Sequence, residues 1–245
     1  CFSGAGHSLS VAKRIAERLN APVCLIGQAA YYGAETAVIV FPVYCQNIPT
    51  PVRGFLLSVS AKYVVLIAAY GGISPGNVLR EASDCVCGTV IAAAAVPTGH
   101  SFLSEPDGGE NSFLSPVIER IYRPQKAEIP KLFKNPFSDF FPAWRSRVGV
   151  KITCSSQCND CKICEIICPM HAMHNGRPDE KCIRCLRCIR LCPKGALRFT
   201  LRPAVKGYLH KKRKNRLKNG DFFAFFGLVR LNFYVFYAKI ESETT

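Results

Sequence analysis

Over the first half of the chain, apolar positions fall into two patterns. From Ala37 to Phe41, Tyr63 to Ala69 and Gly88 to Val96 they run almost without interruption for a strand's length. Strands that apolar are buried on both faces, as in a parallel sheet covered by helices. The segment Ser8 to Leu19 instead spaces Leu9, Ala12, Ile15, Ala16 and Leu19 at helical intervals, with Lys13, Arg14, Glu17 and Arg18 on the other side. Pro51 to Val59 and Pro75 to Cys85 stand between the apolar runs and predict crossover helices, each with proline at its start, where the missing amide donor costs least. Residues 1–125 thus predict an α/β domain built on a doubly wound parallel sheet.

Periodicity is lost over 126–150, where Pro130, Pro136 and Pro142 are scattered among aromatics, so this stretch reads as a linker packed against a neighbour. From Cys154 the composition changes abruptly. Cys158 to Pro169 and Cys182 to Pro193 repeat one pattern at an offset of 24 residues. Asn175-Gly176 between the halves signals a tight hairpin turn. A small α+β domain over 151–202 and a tail over 203–245 complete the division.

The repeat carries the chemistry. Cys158, Cys161, Cys164 and Cys168-Pro169 fit C-x2-C-x2-C-x3-C-P, and Cys182, Cys185, Cys188 and Cys192-Pro193 fit it again. Three thiolates at successive offsets of three cap three corners of one four-iron, four-sulfur cubane, while the fourth cysteine of this pattern ligates the other cluster. The expected ligand sets are therefore Cys158, Cys161, Cys164 and Cys192 for one [4Fe-4S] cluster and Cys182, Cys185, Cys188 and Cys168 for a second. Two structural zincs are the rival, but zinc takes separated pairs of cysteines rather than triplets followed by Cys-Pro. The other cysteines, Cys1, Cys24, Cys45, Cys85, Cys87 and Cys154, are expected to be buried as small hydrophobes. His171 and His174 are expected on the hairpin surface. Lys181, Arg184, Arg187 and Arg190 interleave the second triplet, which favours an added electron there and predicts the higher reduction potential for that cluster.

Charge and composition narrow the setting. The formal charge is +15, and Lys206, Lys211, Lys212, Arg213, Lys214, Arg216 and Lys218 supply much of it in one run. Two oxidised cubanes with their thiolates, at about −2 each, would lower the total to roughly +11. The surface that remains suits an acidic redox partner, such as a ferredoxin or reductase. The 14 cysteines crowd towards one end of a 245-residue chain with a core of its own, unlike a secreted disulfide scaffold. A reducing, cytoplasmic setting is expected, with no transmembrane segment. Beyond the basic run lie Phe222, Phe223, Phe225, Phe226 and further aromatics to Tyr237. This tail either touches an anionic membrane surface or folds back as an extra packing element with solvated lysines, the second being favoured. No aromatic and basic reading surface accompanies the run, so a nucleic-acid partner with structural clusters is the distant alternative.

Ser3-Gly4-Ala5-Gly6-His7-Ser8 precedes the first helix, where small residues let amides and a helix N-terminus converge on a phosphate. Phe41-Pro42-Val43-Tyr44 and Tyr70-Gly71-Gly72 both follow strands, at the carboxyl edge where such sheets bind ligands. An aromatic ring at that edge suits stacking on a flat group. With these three loops and the eight cysteines, residues 1–200 resemble the proteins of anaerobes that fuse a flavodoxin-like domain to a two-cluster ferredoxin. The chain opens on Cys1-Phe2, so the central first strand of a flavodoxin-like sheet is expected to be largely missing. The resemblance implies FMN in the first domain, its phosphate on Ser3, Gly4, Ala5, Gly6, His7 and Ser8 and its ring near Pro42, Val43, Tyr44, Tyr70, Gly71 and Gly72. It also implies an oxidoreductase that converts paired to single electron transfer. A pure ferredoxin-type carrier without flavin is the nearer alternative. No acid-base constellation stands out, so no catalytic side chain is assigned.

Overall fold

The structure is a computed structural model that describes residues 1–27, 34–103, 111–140 and 147–219. Pro142 and the aromatic tail beyond residue 219 lie outside these. The three apolar runs are strands β1 (Thr36–Pro42), β2 (Tyr63–Tyr70) and β3 (Thr89–Pro97), paired in parallel in that order. Side chains alternate across the sheet and both faces are covered. On one face Val64, Leu66 and Ala68 join Ile39 and Phe41 under α2 (Thr50–Ser58) and α3 (Val78–Ser83), through Val52, Leu56, Val78 and Ala82. On the other, Val65, Ile67 and Ala69 meet Val11, Ala12 and Ile15 of α1 (His7–Leu19) and Leu114 and Val117 of α4 (Leu114–Tyr122). Burying each large aliphatic side chain contributes about 1.5–3 kcal/mol, so β2, buried on both sides, is the centre of this core.

Local details depart from the expected ones for identifiable reasons. The buried stripe of α1 is Ser8, Val11, Ala12 and Ile15, rotated from the stripe through Leu9 and Ala16. Helix α3 starts at Val78 rather than Pro75, because Gly76 turns the chain with φ +62°. Cys1 and Phe2 lie along the free edge of β1, where the Phe2 amide donates to Val40 O at 3.0 Å and the ring is buried. The stretch expected to be a linker is strapped over the carboxyl edge of the sheet. Lys134 Nζ reaches Asp139 at 2.6 Å, Glu81 at 2.7 Å and Asn47 Oδ1 at 2.9 Å, and Asn47 Nδ2 donates to Ser138 O. Burial works against the Lys134 ammonium, but the two carboxylates outweigh it and raise its pKa.

The cysteine-rich region is framed by an antiparallel pair, β4 (Val150–Cys154) and β7 (Leu197–Leu201). The hairpin of β5 (Met173–His174) and β6 (Arg177–Pro178) turns through Asn175 and Gly176, with φ +49° and +74°. Two positive φ values in succession are what a type I′ hairpin turn requires. After Arg202 the chain forms a helix over Pro203–Asn219. Leu209 of this helix is buried, while Lys206, Lys211 and Lys212 are exposed. Among the described residues no helix is long and apolar enough to cross a membrane.

Because Leu66 is fully buried at the centre of the middle strand, Leu66→Ala should cost about 2–5 kcal/mol. The shift in denaturation midpoint measures it, and a loss within error of zero contradicts this account of the core.

Candidate metal centre

Each cysteine triplet is a tight coil that a regular helix or strand could not supply. Asp160 and Lys162 in the first coil and Arg184 and Leu186 in the second all have left-handed backbone, with φ between +54° and +62°. They correspond at the 24-residue offset. Left-handed backbone at a non-glycine residue costs of order 1–3 kcal/mol and persists only where surroundings impose it. Each coil then runs into one helical turn, Ile163–Ile166 or Arg187–Arg190, which carries the third cysteine.

The coils wall two cavities. Cys158, Cys161, Cys164 and Cys192 line the first, together with Asp160, Lys162, Glu165 and Lys194. Cys168, Cys182, Cys185 and Cys188 line the second, with Ile152, Met173, Ile183, Leu186 and Arg187. In each cavity one cysteine thus comes from the opposite half of the repeat. Among the described residues, no three His, Cys, Asp or Glu side chains converge on a point as they would around a single ion.

The two surroundings differ. Burial works against the Cys192 thiolate, but amides of Leu197, Ala196, Lys194 and Gly195 outweigh it and lower the pKa. At Cys164, burial raises the pKa, with Glu165 and Cys158 adding to it against amide hydrogen bonds that lower it. In the second cavity, burial pushes Cys185 up to about 11 and, with Cys185 and Cys182 beside it, Cys188 to about 12. Arg187 is 7% exposed, and its Nε has no hydrogen-bond partner. A buried cation with an orphaned donor in the wall suits an anionic occupant. Arg184 donates through Nε to Val150 O at 3.1 Å while its Nη1 is buried without a partner, and Arg190 donates to Gly4 O at 3.2 Å.

Outside the two sets, the expectation of buried cysteines is corrected. Cys24, Cys45 and Cys87 are exposed and Cys1, Cys85 and Cys154 are half-buried. Apart from Cys154, which ends β4, all lie off the strands; Cys85 and Cys1 pack at the margins of the two cores, whereas Cys24, Cys45 and Cys87 lie on exposed loops. Cys154 stands beside Cys158 and against Gly176, where a side-chain carbon would lie 2.7 Å from its sulfur. His171 and His174 are exposed, His174 facing Asp179 at 3.2 Å.

The loop at 3–8 leads into the start of α1. Gly6 caps α1 with φ +108°, the Leu9 amide donates to Ser3 Oγ at 3.2 Å, and the Ser8 hydroxyl is buried without a partner. The edge expected to hold a flat ring is more crowded. Tyr44 is packed between Gly4 and Cys185, and burial, then Cys185, push its phenol well above the ordinary value. A side-chain carbon on Gly4 would collide with the Cys185 carbonyl and stand 2.8 Å from the Tyr44 hydroxyl. Gly71 receives the His100 ring, which would lie 2.6 Å from a carbon added there. Val43 and Tyr70 pack on the core beneath, and the Val43 amide donates to Ala69 O. His100 and Arg190 were not legible as neighbours of these loops. Their only signal was position, after β3 and one residue pair before Cys192.

Compared with known families, residues 179–198 match the model of the 4Fe-4S binding domain. The match takes in Cys182, Cys185, Cys188 and Cys192. No curated protein and no solved structure matches the chain. Residues 179–198 are therefore a ferredoxin-like iron-sulfur region, and iron-sulfur electron transfer is the general activity this supports.

Raised thiol pKa values tie the metal-free fold to pH. Neutral Cys185 and Cys188 lend stability that is whole below their ordinary value of 9.0 and is lost as pH rises towards about 11 and about 12. Denaturation midpoints of the metal-free chain should fall over that interval, and a flat profile contradicts the burial described. Under the same conditions alkylation should reach Cys192 at lower pH than Cys185 or Cys188, because the thiolate is the reactive form.

Proposed function

We propose that the chain is a one-electron transfer protein holding two [4Fe-4S] clusters, one on Cys158, Cys161, Cys164 and Cys192, the other on Cys168, Cys182, Cys185 and Cys188. The observation that carries this reading is the pair of cavities, each walled by three cysteines of one repeat and the fourth of the other. The family match covers only the second triplet and Cys192; the first cluster rests on the repeated spacing and on backbone turns that recur at the same offset. Such a cluster, when bound, exchanges single electrons at a potential set by charge, hydrogen bonds and exposure. The chain's own part is to hold thiolates and shape that environment. Four amides around Cys192 favour added charge at the first site, whereas Arg187 acts with little screening at the second. Burial at the second site works against an added electron; we take the buried Arg187 charge to outweigh both that burial and the peptide dipoles of the first site, which gives the second site the higher potential.

FMN in the α/β domain is the further part of the proposal. Ser3, Gly4, Ala5, Gly6, His7 and Ser8 would take its phosphate at the start of α1, and the buried Ser8 hydroxyl supports an anion there. The loops at Pro42, Val43, Tyr44 and at Tyr70, Gly71, Gly72 would take the ring. The flavin would let the chain act as an oxidoreductase that trades electron pairs for single electrons. Crowding of Gly4 by Tyr44 and Cys185 favours the second reading, a ferredoxin-type carrier without flavin. Both readings leave an acidic redox protein as partner.

Anaerobic reconstitution followed by analysis should give about eight iron and eight sulfide per chain, as two cubanes require. One flavin per chain selects the oxidoreductase and none selects the carrier. Colourless divalent metal in place of iron overturns both. In a redox titration, Arg187→Gln should lower the potential of one cluster, the higher of the two, and leave the other unmoved. An unchanged higher potential contradicts the role given to Arg187.

A further inference from the structure

The two cavities stand in opposite relations to the rest of the chain. Cys158, Cys161, Asp160, Lys162, Pro193 and Lys194 at the first are all exposed, and Ile166 beside it is 77% exposed. None of the residues lining the second is exposed. The coil that walls the second cavity packs against the α/β domain of the same chain. Ile183 packs against the core beneath α2 and α3. Cys185 presses on Gly4 and Tyr44, and Arg190 closes over the same loop, donating to Gly4 O and lying 3.6 Å from a carbon added at Gly6. From the other side Phe102, just past β3, joins the core of the cysteine region and meets Phe199 of β7 at 5.9 Å between ring centres.

We infer that the two cluster sites are unequal in role: the first is the outer site, where an external one-electron carrier meets the chain, and the second is the inner site, walled by buried and half-buried residues, backed by Gly4 and Tyr44 of the α/β domain and reached by electrons through the first. The inference rests on the two-cluster reading and not on the presence of flavin. Electron tunnelling weakens steeply with distance, so a carrier that can approach Cys158 and Cys161 but not Cys185 exchanges at the first site. Glycine at position 4 is then a requirement of this packing, because any side chain there would push the Cys185 coil away. Arg190 is a positioning residue: it acts through Gly4 O and not on a cluster ligand.

The test uses the full, reconstituted chain, partly reduced so that one cluster at a time is paramagnetic, with a water-soluble gadolinium chelate added as relaxing agent. The resonance lost in Cys161→Ser should relax several-fold faster with the chelate, and the resonance whose potential moves in Arg187→Gln should scarcely respond. Gly4→Ala and Arg190→Gln should each raise the response of the second resonance towards that of the first, with the first unchanged. Equal response of both resonances in the unaltered chain overturns the inference, as does a second resonance that stays shielded in Gly4→Ala with iron content intact. If Cys161→Ser assembles no cluster, Arg187→Gln alone still assigns the two signals. A single resonance from about four iron per chain would instead remove the two-cluster reading itself, and the iron count reveals that before the chelate is added.

Discussion

The constraint on which the cysteine region depends is that neither coil closes its own cavity. Cys192 completes the wall around Cys158, Cys161 and Cys164, and Cys168 completes the wall around Cys182, Cys185 and Cys188. The halves are thereby held by more than the short strands that frame them, since β4 and β7 contribute only five residues each and β5 and β6 only two. Sheets that small are marginal alone. Left-handed backbone at Asp160, Lys162, Arg184 and Leu186 fits the same constraint, since it turns each coil tightly enough to bring its three cysteines to one cavity.

The α/β domain obeys a different one. Its strands are apolar on both faces, so each face needs helices, and the parallel order needs crossovers that bring the helices there. The carboxyl edge this creates is covered twice: the 131–139 strap holds the Gln46 and Asn47 corner through Asn135 and Lys134, and the cysteine region presses on Gly4 and Tyr44. An edge that in such sheets commonly faces ligands is here also the seat of the second domain.

Where the sequence was legible, short-range rules governed. The strands at 37–41, 63–69 and 88–96 announce themselves by unbroken apolarity, the hairpin by Asn175-Gly176, and the ligand pattern by spacing alone. Long-range packing was opaque. Nothing in Tyr44 indicated that its ring would be packed by Cys185, more than 100 residues away in sequence, instead of standing open at the edge. Likewise Val11 rather than Leu9 fills the core because the sheet, not the helix, decides which side of α1 faces inward. The exposed positions of Cys24, Cys45 and Cys87 show the same limit: residue type suggests burial, but a loop outside the covering layers cannot provide it.

Cross-lining also fixes an order of completion during synthesis. As the chain leaves the ribosome, the lining of the second cavity is whole once residue 188 has emerged, whereas the first still waits for its last cysteine, Cys192, and the residues to Leu197. The nascent α/β unit is by then already available as a surface against which residues 183–190 settle. The earlier repeat is thus finished last, by the final cysteine of the later one.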